Sequence, residues 1–216
     1  MKVISLYDYT TIMLKPWAEA GHECYSVDLQ HTTATIGNIF TLSLDVTSPE
    51  VDELCQDASI IFAFPPCDDL AVSGAAHFKK KGPERRQQAM TLVYAAYNLA
   101  VDADCPYMIE NPISVISSEW RKPDWIFDPF EYGGYLPENH ASEMPRYIPH
   151  RDAYQKRTCL WVGQGFIIPD TKPVDYIRYK YPPAHLYLGG SSKRTKNIRS
   201  RTPEGFALAV YEANCK

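Results

Sequence analysis

The chain has 216 residues, which is enough for an α/β domain with a substantial buried core. Hydrophobic residues make up 45% of it and aromatic residues 12%, which excludes a disordered chain. The formal net charge of −4 means that any nucleic-acid contact has to come from local basic patches. No apolar run is long enough to cross a membrane, so we expect a soluble protein of the cytoplasm.

The first half of the chain alternates apolar strands with helices. Strands are predicted at 2–7, 23–27, 40–44, 59–64 and 107–109, and helices at 15–20, 48–56 and 84–102. Strands that are separated by helices are typical of a doubly wound, mostly parallel sheet. We therefore expect a Rossmann-like α/β fold.

The second half has a different character. Residues 113–154 are rich in Pro, Gly, Tyr and Trp and show little periodicity, which predicts an irregular, aromatic-rich insertion that faces the substrate. A further strand is predicted at 157–162 and a last helix at 203–213. We expect residues 1–216 to form a single domain that contains this insertion.

The six cysteines are scattered singly, and the chain has no Cys-x-x-Cys pair. This gives no support to a zinc ribbon or a redox-active cysteine pair, so we expect no metal. Most of the cysteines adjoin apolar strands and are expected to be small core residues.

Chemically useful side chains follow the predicted strands. In an open parallel sheet, ligands bind at the carboxyl ends of the strands. The residues at those ends are Asp8, Asp28, Asp45, Cys67 and Glu110. Stability alone would not select four acids and a cysteine at one edge, so the sequence predicts a ligand site there.

Cys67 follows Pro65 and Pro66 directly after the fourth strand. Proline fixes its own φ and restricts its neighbour, so this cysteine is expected to lie exposed on a stiff turn, as a nucleophilic thiol requires. Taken alone, the pattern fits a packed cysteine equally well. Glu110, followed by Asn-Pro, fits an acid held in a rigid turn, but on its own it fits a helix cap better.

Taken together, the two elements resemble the hallmark pair of the DNA cytosine-5 methyltransferases, Pro-Cys and Glu-Asn-Val. The matching stretches are 64–67 (Phe-Pro-Pro-Cys) and 110–112 (Glu-Asn-Pro). The stretches 64–74, 128–133 and 156–161 look like a compact, phage-associated branch of that family that lacks the large recognition domain. The resemblance implies the class I methyltransferase fold and extends over most of the chain.

The resemblance implies a covalent mechanism. The thiolate of Cys67 adds to carbon 6 of cytosine, while Glu110 holds N3 and the exocyclic amine. The activated carbon 5 then accepts the methyl group of S-adenosylmethionine. Because a base inside a duplex is out of reach, the target cytosine of the DNA has to be flipped out or single-stranded.

The resemblance also implies cofactor-binding residues. Asp28 would bind the ribose hydroxyls and Asp45 the adenine amine, and Asp8 and Tyr9 would lie near the methionine, with Pro65 at the next strand end. Each of these aspartates fits a helix cap as well.

One further segment, around Arg157, matches the family, and another, at residues 7–13, departs from it. Arg157, in the run Gln-Lys-Arg, resembles the arginine that supports the nucleophile and the flipped base. The segment 7–13 has no glycine, whereas the family carries Asp-x-Phe-x-Gly-x-Gly in its first motif. Either this loop takes another shape here, or cofactor binding is altered.

Two basic stretches are candidates for phosphate contacts, one in the loop after Cys67 and one before the last helix. The candidate nucleic-acid-binding residues are Ser73, His77, Lys79, Lys80, Lys81, Arg85, Lys193, Arg194, Lys196 and Arg199. A solvated surface is the ordinary role of such charge runs.

The leading hypothesis is a DNA cytosine-5 methyltransferase, in the host cytoplasm if the chain is phage-encoded. Two alternatives keep the fold: an enzyme of a free cytosine nucleotide or RNA, and a non-catalytic nucleic-acid-binding relative. A thiol hydrolase that uses Cys67 with His77 or His150 is the weakest alternative, because no His–acid spacing supports it. The sequence makes no prediction of the oligomeric state.

Overall fold

The computed structural model describes residues 1–71, 83–176, 188 and 192–215. The chain divides into two compact units. The first comprises Met1–Ile126 and Thr158–Phe166, and the second comprises Phe127–Arg157 and Ile167–Lys216.

The first unit is built on an eight-stranded sheet. The strand at one edge of this sheet ends at Phe127, which is counted with the second unit. The strands are β1 (Lys2–Leu6), β2 (Glu23–Val27), β3 (Ala34–Ile36), β4 (Ile39–Leu42), β5 (Ile60–Ala63), β6 (Tyr107–Pro112), β7 (Trp125–Phe127) and β8 (Thr158–Gly163). Their order across the sheet is β3-β4-β2-β1-β5-β6-β8-β7. The run β4-β2-β1-β5-β6 is parallel, while β3 pairs antiparallel with β4, and β8 with β6.

Four α-helices connect or flank these strands within the described part of the first unit. They are α1 (Lys15–Glu19), α2 (Pro49–Cys55), α3 (Pro83–Asp102) and α4 (Ile116–Glu119), with a 3-10 turn at Ile12–Leu14 before α1. Proline at the first position of α2 suits the start of a helix, because its φ is already helical and its missing N–H would have no partner there.

The core of the first unit lies between the sheet and the helices. Every residue of β5 is buried, as expected for a central parallel strand that is covered on both faces. The long helix α3 buries Val93, Ala96 and Ala100, and this spacing of three and four residues turns one face toward the sheet. Burial of a larger side chain of this face, such as Val93, stabilises the fold by about 1.5–3 kcal/mol.

The second unit holds α5 (Lys193–Arg199), α6 (Glu204–Asn214) and the 3-10 segments Pro129–Tyr135 and His150–Asp152. Its centre is aromatic: the rings of Phe127 and Phe206 stack with centroids 4.3 Å apart, and Tyr132 meets Phe206 at 5.1 Å. These residues come from 113–154, the stretch predicted to be an irregular insertion, and from the last helix.

The predicted fold class is confirmed as a mixed α/β fold with a mostly parallel sheet, compatible with a Rossmann-like fold. Each of the five predicted parallel strands is present, with ends that differ from the prediction by at most three residues. β3, β7, α4 and α5 were not predicted. β6 runs three residues past its predicted end, because β8 pairs with it as far as Pro112.

Candidate active site at the carboxyl edge of the sheet

The strand order indicates where a ligand crevice is expected in the first unit. β1 lies between β2 and β5. The chain therefore adds β2 and β4 on one side of β1 and then crosses over to add β5 and β6 on the other side. In open α/β sheets, the crevice at such a point lies beyond the carboxyl ends of the strands. The segments that follow β1, β2, β4 and β5 share this edge, and they carry four of the five predicted strand-end residues.

Cys67 follows β5, and Glu110 lies near the carboxyl end of the neighbouring parallel strand β6, inside the strand and not at its end as predicted, because β8 pairs with β6 as far as Pro112. The register pairs Ala63 of β5 with Ile109 of β6, so Glu110 stands one residue beyond this pair and Cys67 four residues beyond it. Both side chains are partly exposed. A thiol and a carboxyl that are open to solvent at adjacent strand ends suit a nucleophile with a supporting acid.

Asn111 connects these two strand ends. Its Nδ2 donates a 2.9 Å hydrogen bond to the carbonyl oxygen of Pro65, and its side chain is 1% exposed. Its Oδ1 is buried and has no hydrogen-bond partner among the described residues, so a donor from substrate or water would stabilise it. The turn that carries Cys67 is therefore fixed to the strand that carries Glu110.

The chain after Cys67 forms a single tight turn that is also attached to the β6 side. The carbonyl oxygen of Cys67 accepts hydrogen bonds from the N–H groups of Leu70 (3.1 Å) and Ala71 (2.9 Å). The N–H of Val115 donates to Leu70 at 3.0 Å, and Ala71 forms an isolated bridge with Ser114. Cys67 therefore has a fixed backbone on both sides.

The carboxylate of Asp8 is directed into the protein. It accepts hydrogen bonds from Ser5 Oγ (2.8 Å), from Thr10 N and Oγ1 (3.0 Å each) and from Thr11 N (2.9 Å). Burial raises the pKa of Asp8, and these hydrogen bonds oppose the rise. The carboxylate thus organises the loop after β1, and its four bonds leave little capacity for a ligand.

Asp28 and Asp45 retain an oxygen for a ligand. Oδ1 of Asp28 accepts from Gln30 N at 2.7 Å, and Oδ1 of Asp45 accepts from Thr47 N (2.9 Å) and Oγ1 (2.8 Å). The hydrogen bonds from Thr47 lower the pKa of Asp45, which keeps it ionised. The second oxygen of each has no hydrogen bond to another described residue. These two carboxylates fit the hydroxyl and amine donors of an adenosyl group.

Tyr9 lies beside a histidine that the sequence analysis did not single out. The Tyr9 side chain is 41% exposed, and its ring centroid lies 5.5 Å from that of His31. The Nε2 atom of His31 is 2.9 Å from Ser26 Oγ and 3.1 Å from the carbonyl oxygen of Asp8. His31 thus joins the segments that follow β1 and β2.

Arg157 belongs to the second unit, where its Nη1 lies 3.5 Å from Oδ2 of Asp128. The arginine side chain is 65% exposed and that of Asp128 is 8% exposed. Because the Arg157 side chain is mostly exposed, most of its guanidinium stays accessible to solvent.

The basic candidates separate by location. Arg85 is exposed in the first turn of α3. Lys193, Arg194, Lys196 and Arg199 are exposed on α5 of the second unit, while Thr195 and Ile198 turn inward, so that one outer face of this short helix is basic. Ser73, His77, Lys79, Lys80 and Lys81 lie outside the described residues.

Sequence reasoning missed Ser26 and His31 and gave Asn111 no role. Ser5 and Ser26 are polar residues inside apolar strands, and the register places them side by side. A buried hydroxyl needs a partner, so two serines in adjacent buried strands signal a polar network at their carboxyl ends.

No helix among the described residues is long and apolar enough to cross a membrane. In the same part of the chain, no group of three or more His, Cys, Asp or Glu side chains is arranged to hold a metal ion. Comparison with protein-family models and with curated proteins gives no match. The fold and the site therefore define the class to which the chain is assigned, a mixed α/β protein with a candidate active site at the carboxyl edge of its sheet.

Proposed function

We propose that this protein is a methyltransferase that transfers the methyl group of S-adenosylmethionine to carbon 5 of cytosine in DNA, with the class I methyltransferase fold. The hydrogen bond from Asn111 to Pro65 carries the proposal, because it couples the two motif elements on which the resemblance rests. The reversal of strand order at β1 supports it as well, since it puts a ligand crevice at the strand ends that carry the candidates.

In the proposed mechanism, the thiolate of Cys67 adds to carbon 6 of cytosine, and the electron pair of the carbon 5–carbon 6 double bond moves onto carbon 5 and toward N3. Glu110 hydrogen-bonds N3 and the exocyclic amine and stabilises the charge that develops on the ring. S-adenosylmethionine, when bound, would supply an electrophilic methyl group for carbon 5, with S-adenosylhomocysteine as the leaving group. A base, for which water suffices, then removes the proton from carbon 5, the electron pair re-forms the double bond, and the Cys67 sulfur leaves.

The fixed backbone around Cys67 has a catalytic purpose in this mechanism. Nucleophilic attack requires the sulfur to lie at the correct distance and angle from carbon 6, and a fixed turn avoids the entropic cost of finding that geometry. The hydrogen bonds of Asn111, Leu70 and Ala71 provide this rigidity.

The cofactor residues take different roles. Asp28 and Asp45 would hold the ribose hydroxyls and the adenine amine through their remaining oxygens, and Tyr9 would contact the methionine end next to Pro65. Asp8 acts indirectly, because its carboxylate is already engaged with Ser5, Thr10 and Thr11.

The exposed cations of α5, in the second unit, suit phosphate contacts, and Arg85 suits such a contact in the first unit. The role of Arg157 in supporting the flipped base is proposed on the resemblance alone. A reducing compartment such as the cytoplasm would keep the Cys67 thiol reduced, as a nucleophile requires.

Trapping of a covalent complex tests the proposal. Single-stranded and duplex DNA containing 5-fluorocytosine is incubated with the protein and S-adenosylmethionine. Fluorine cannot leave carbon 5 as a cation, so the Cys67–carbon 6 bond persists and mass spectrometry of peptides locates it. Cys67→Ser is the control and should give no adduct.

The absence of adduct, together with the absence of methyl transfer from labelled cofactor to ordinary DNA, would refute the proposal. Methylation of deoxycytidine monophosphate or RNA in preference to DNA would assign the same chemistry to another substrate.

A further inference from the structure

The loop after β1 has no glycine, yet its backbone enters the left-handed region twice. Tyr7 has a φ of 58° and Thr11 a φ of 57°. Each such residue costs about 1–2 kcal/mol, and a β-branched residue such as Thr11 is among the least suited to it. Strain of this kind persists only where the surrounding structure enforces it, and it concentrates at ligand sites.

The inner side of the loop is held by Asp8. Its carboxylate, which is 3% exposed, takes the backbone N–H groups of Thr10 and Thr11 at 3.0 and 2.9 Å. A second anchor comes from Tyr7, whose hydroxyl donates to the carbonyl oxygen of Leu92 in α3 at 3.1 Å. These hydrogen bonds hold Tyr7 and Thr11, the two residues with a left-handed backbone.

The loop is also held through the backbone carbonyl oxygen of Asp8. This oxygen accepts hydrogen bonds from Ser26 Oγ and, at 3.1 Å, from His31 Nε2. Because a carbonyl oxygen only accepts, Nε2 of His31 must carry a hydrogen. The same nitrogen lies 2.9 Å from Ser26 Oγ, so the two side chains and the carbonyl form one closed network.

His31 also contacts the other candidate cofactor residues. Its ring lies beside that of Tyr9, and its backbone N–H donates to the carbonyl oxygen of Asp28 at 3.1 Å. His31 thus contacts Asp8 and Tyr9 through its imidazole and Asp28 through its backbone. It links the end of β1, expected to receive the methionine, with the end of β2, expected to receive the ribose.

We propose that His31 is a positioning residue of the cofactor site, and that with Ser26 it holds the glycine-free loop in the conformation that receives S-adenosylmethionine. This inference rests on the proposed function. It explains how a loop without glycine keeps a left-handed backbone at the edge of the crevice.

Three variants test the inference by calorimetric titration of S-adenosylmethionine. His31→Ala removes the donor and the ring, and should weaken cofactor affinity about tenfold, the effect of one hydrogen bond. His31→Gln keeps an N–H donor at similar reach and should restore affinity to within about threefold of the unsubstituted protein. His22→Ala removes a partly exposed histidine just before β2, at the opposite edge of the sheet, and should bind the cofactor normally.

Steady-state kinetics separate positioning from a general loss of structure. His31→Ala should raise the KM for S-adenosylmethionine while leaving kcat at saturating cofactor and the KM for DNA unchanged. A parallel loss of kcat and thermal stability would overturn the inference, as would equal affinities of the Ala and Gln variants. If the unsubstituted protein itself binds no S-adenosylmethionine, the proposed function fails first, and the inference fails with it.

Discussion

The side-chain nitrogen of Asn111 donates a 2.9 Å hydrogen bond to the carbonyl oxygen of Pro65, 46 residues earlier in the chain. The bond is buried and joins the turn after β5 to the end of β6. It makes the position of Cys67 depend on the strand that carries Glu110. The second residue of the Glu-Asn-Pro segment therefore has a physical role that is distinct from that of the glutamate.

Substitution Asn111→Ala should reduce methyl transfer at least tenfold without changing the affinity for S-adenosylmethionine. The substitution leaves the buried carbonyl of Pro65 without its donor, which costs about 1–3 kcal/mol and frees the turn that presents Cys67. Rates of transfer to DNA at saturating cofactor measure the first effect, and calorimetry measures the second.

Asn38→Ala is the matched control for Asn111→Ala. Asn38 also donates its side-chain amide to a backbone carbonyl, that of Ala18 at 3.1 Å, but this bond is exposed and lies at the amino edge of the sheet. We expect a normal rate for this variant. A normal rate for Asn111→Ala as well would show that the Asn111–Pro65 bond does not position the nucleophile.

The sequence predicts the parallel half of the sheet because burial dictates its residue pattern. β5 reads as an uninterrupted apolar run, since both of its faces are covered. β3 is exposed at all three positions and lies at a sheet edge, so it carries no burial pattern from which a strand can be predicted. β7 is short and exposed at two of its three residues, and its neighbour β8 comes more than thirty residues later.

The sequence predicts those residues of the candidate site whose side chains are reactive by themselves, and it does not predict residues that act through hydrogen bonds to one another. Cys67 and Glu110 stand out because a thiol and an acid at strand ends are conspicuous. The polar network of Ser26 and His31 is not, because it depends on the side-by-side register of β1 and β2 and on a turn that returns His31 toward Asp8. The inward direction of the Asp8 carboxylate likewise follows from hydrogen bonds that no spacing rule encodes.

The basic face of α5 should account for part of the DNA affinity. In the double variant Lys193→Gln/Arg194→Gln, each lost phosphate contact should reduce the slope of log K against log salt by about one. Binding isotherms on one oligonucleotide at several salt concentrations measure that slope. Lys122→Gln, which removes an exposed cation outside both basic stretches, is the control. An unchanged slope would remove α5 from the proposed interface.

Gly205 should not tolerate a side chain. A Cβ atom at this position would lie 2.4 Å from the carbonyl oxygen of Tyr132, where backbone approaches backbone. We expect Gly205→Ala to destabilise the second unit by about 1–3 kcal/mol through overpacking. Unfolding in urea measures the change, and a neutral result would mean that α6 shifts to accommodate the methyl group.

Asp152 forms the buried acceptor at the start of α6. Its Oδ2 accepts from Gly205 N at 2.8 Å, and its side chain is 2% exposed. Burial raises its pKa to about 6, the nearby Glu204 adds to the rise, and His140 and Arg201 oppose it. These charged groups form one cluster, in which His140 lies 3.2 Å and Arg201 3.1 Å from the carboxylate of Glu204, and Arg201 also pairs with Glu143.

The raised pKa of Asp152 predicts that this residue favours folding more as pH falls. The folded state takes up a proton near pH 6, whereas an unfolded aspartate does so only near pH 4, so the contribution grows between those values by up to about 3 kcal/mol. Asp152→Asn keeps an acceptor for Gly205 and should abolish this difference. The measurement is the free energy of unfolding in urea at pH 4.5 and 7 for both proteins.

Asp170→Asn, at an exposed position of the same unit, should behave like the unsubstituted protein. If Asp152→Asn retained the full pH dependence, the Asp152 carboxyl would not titrate in this range.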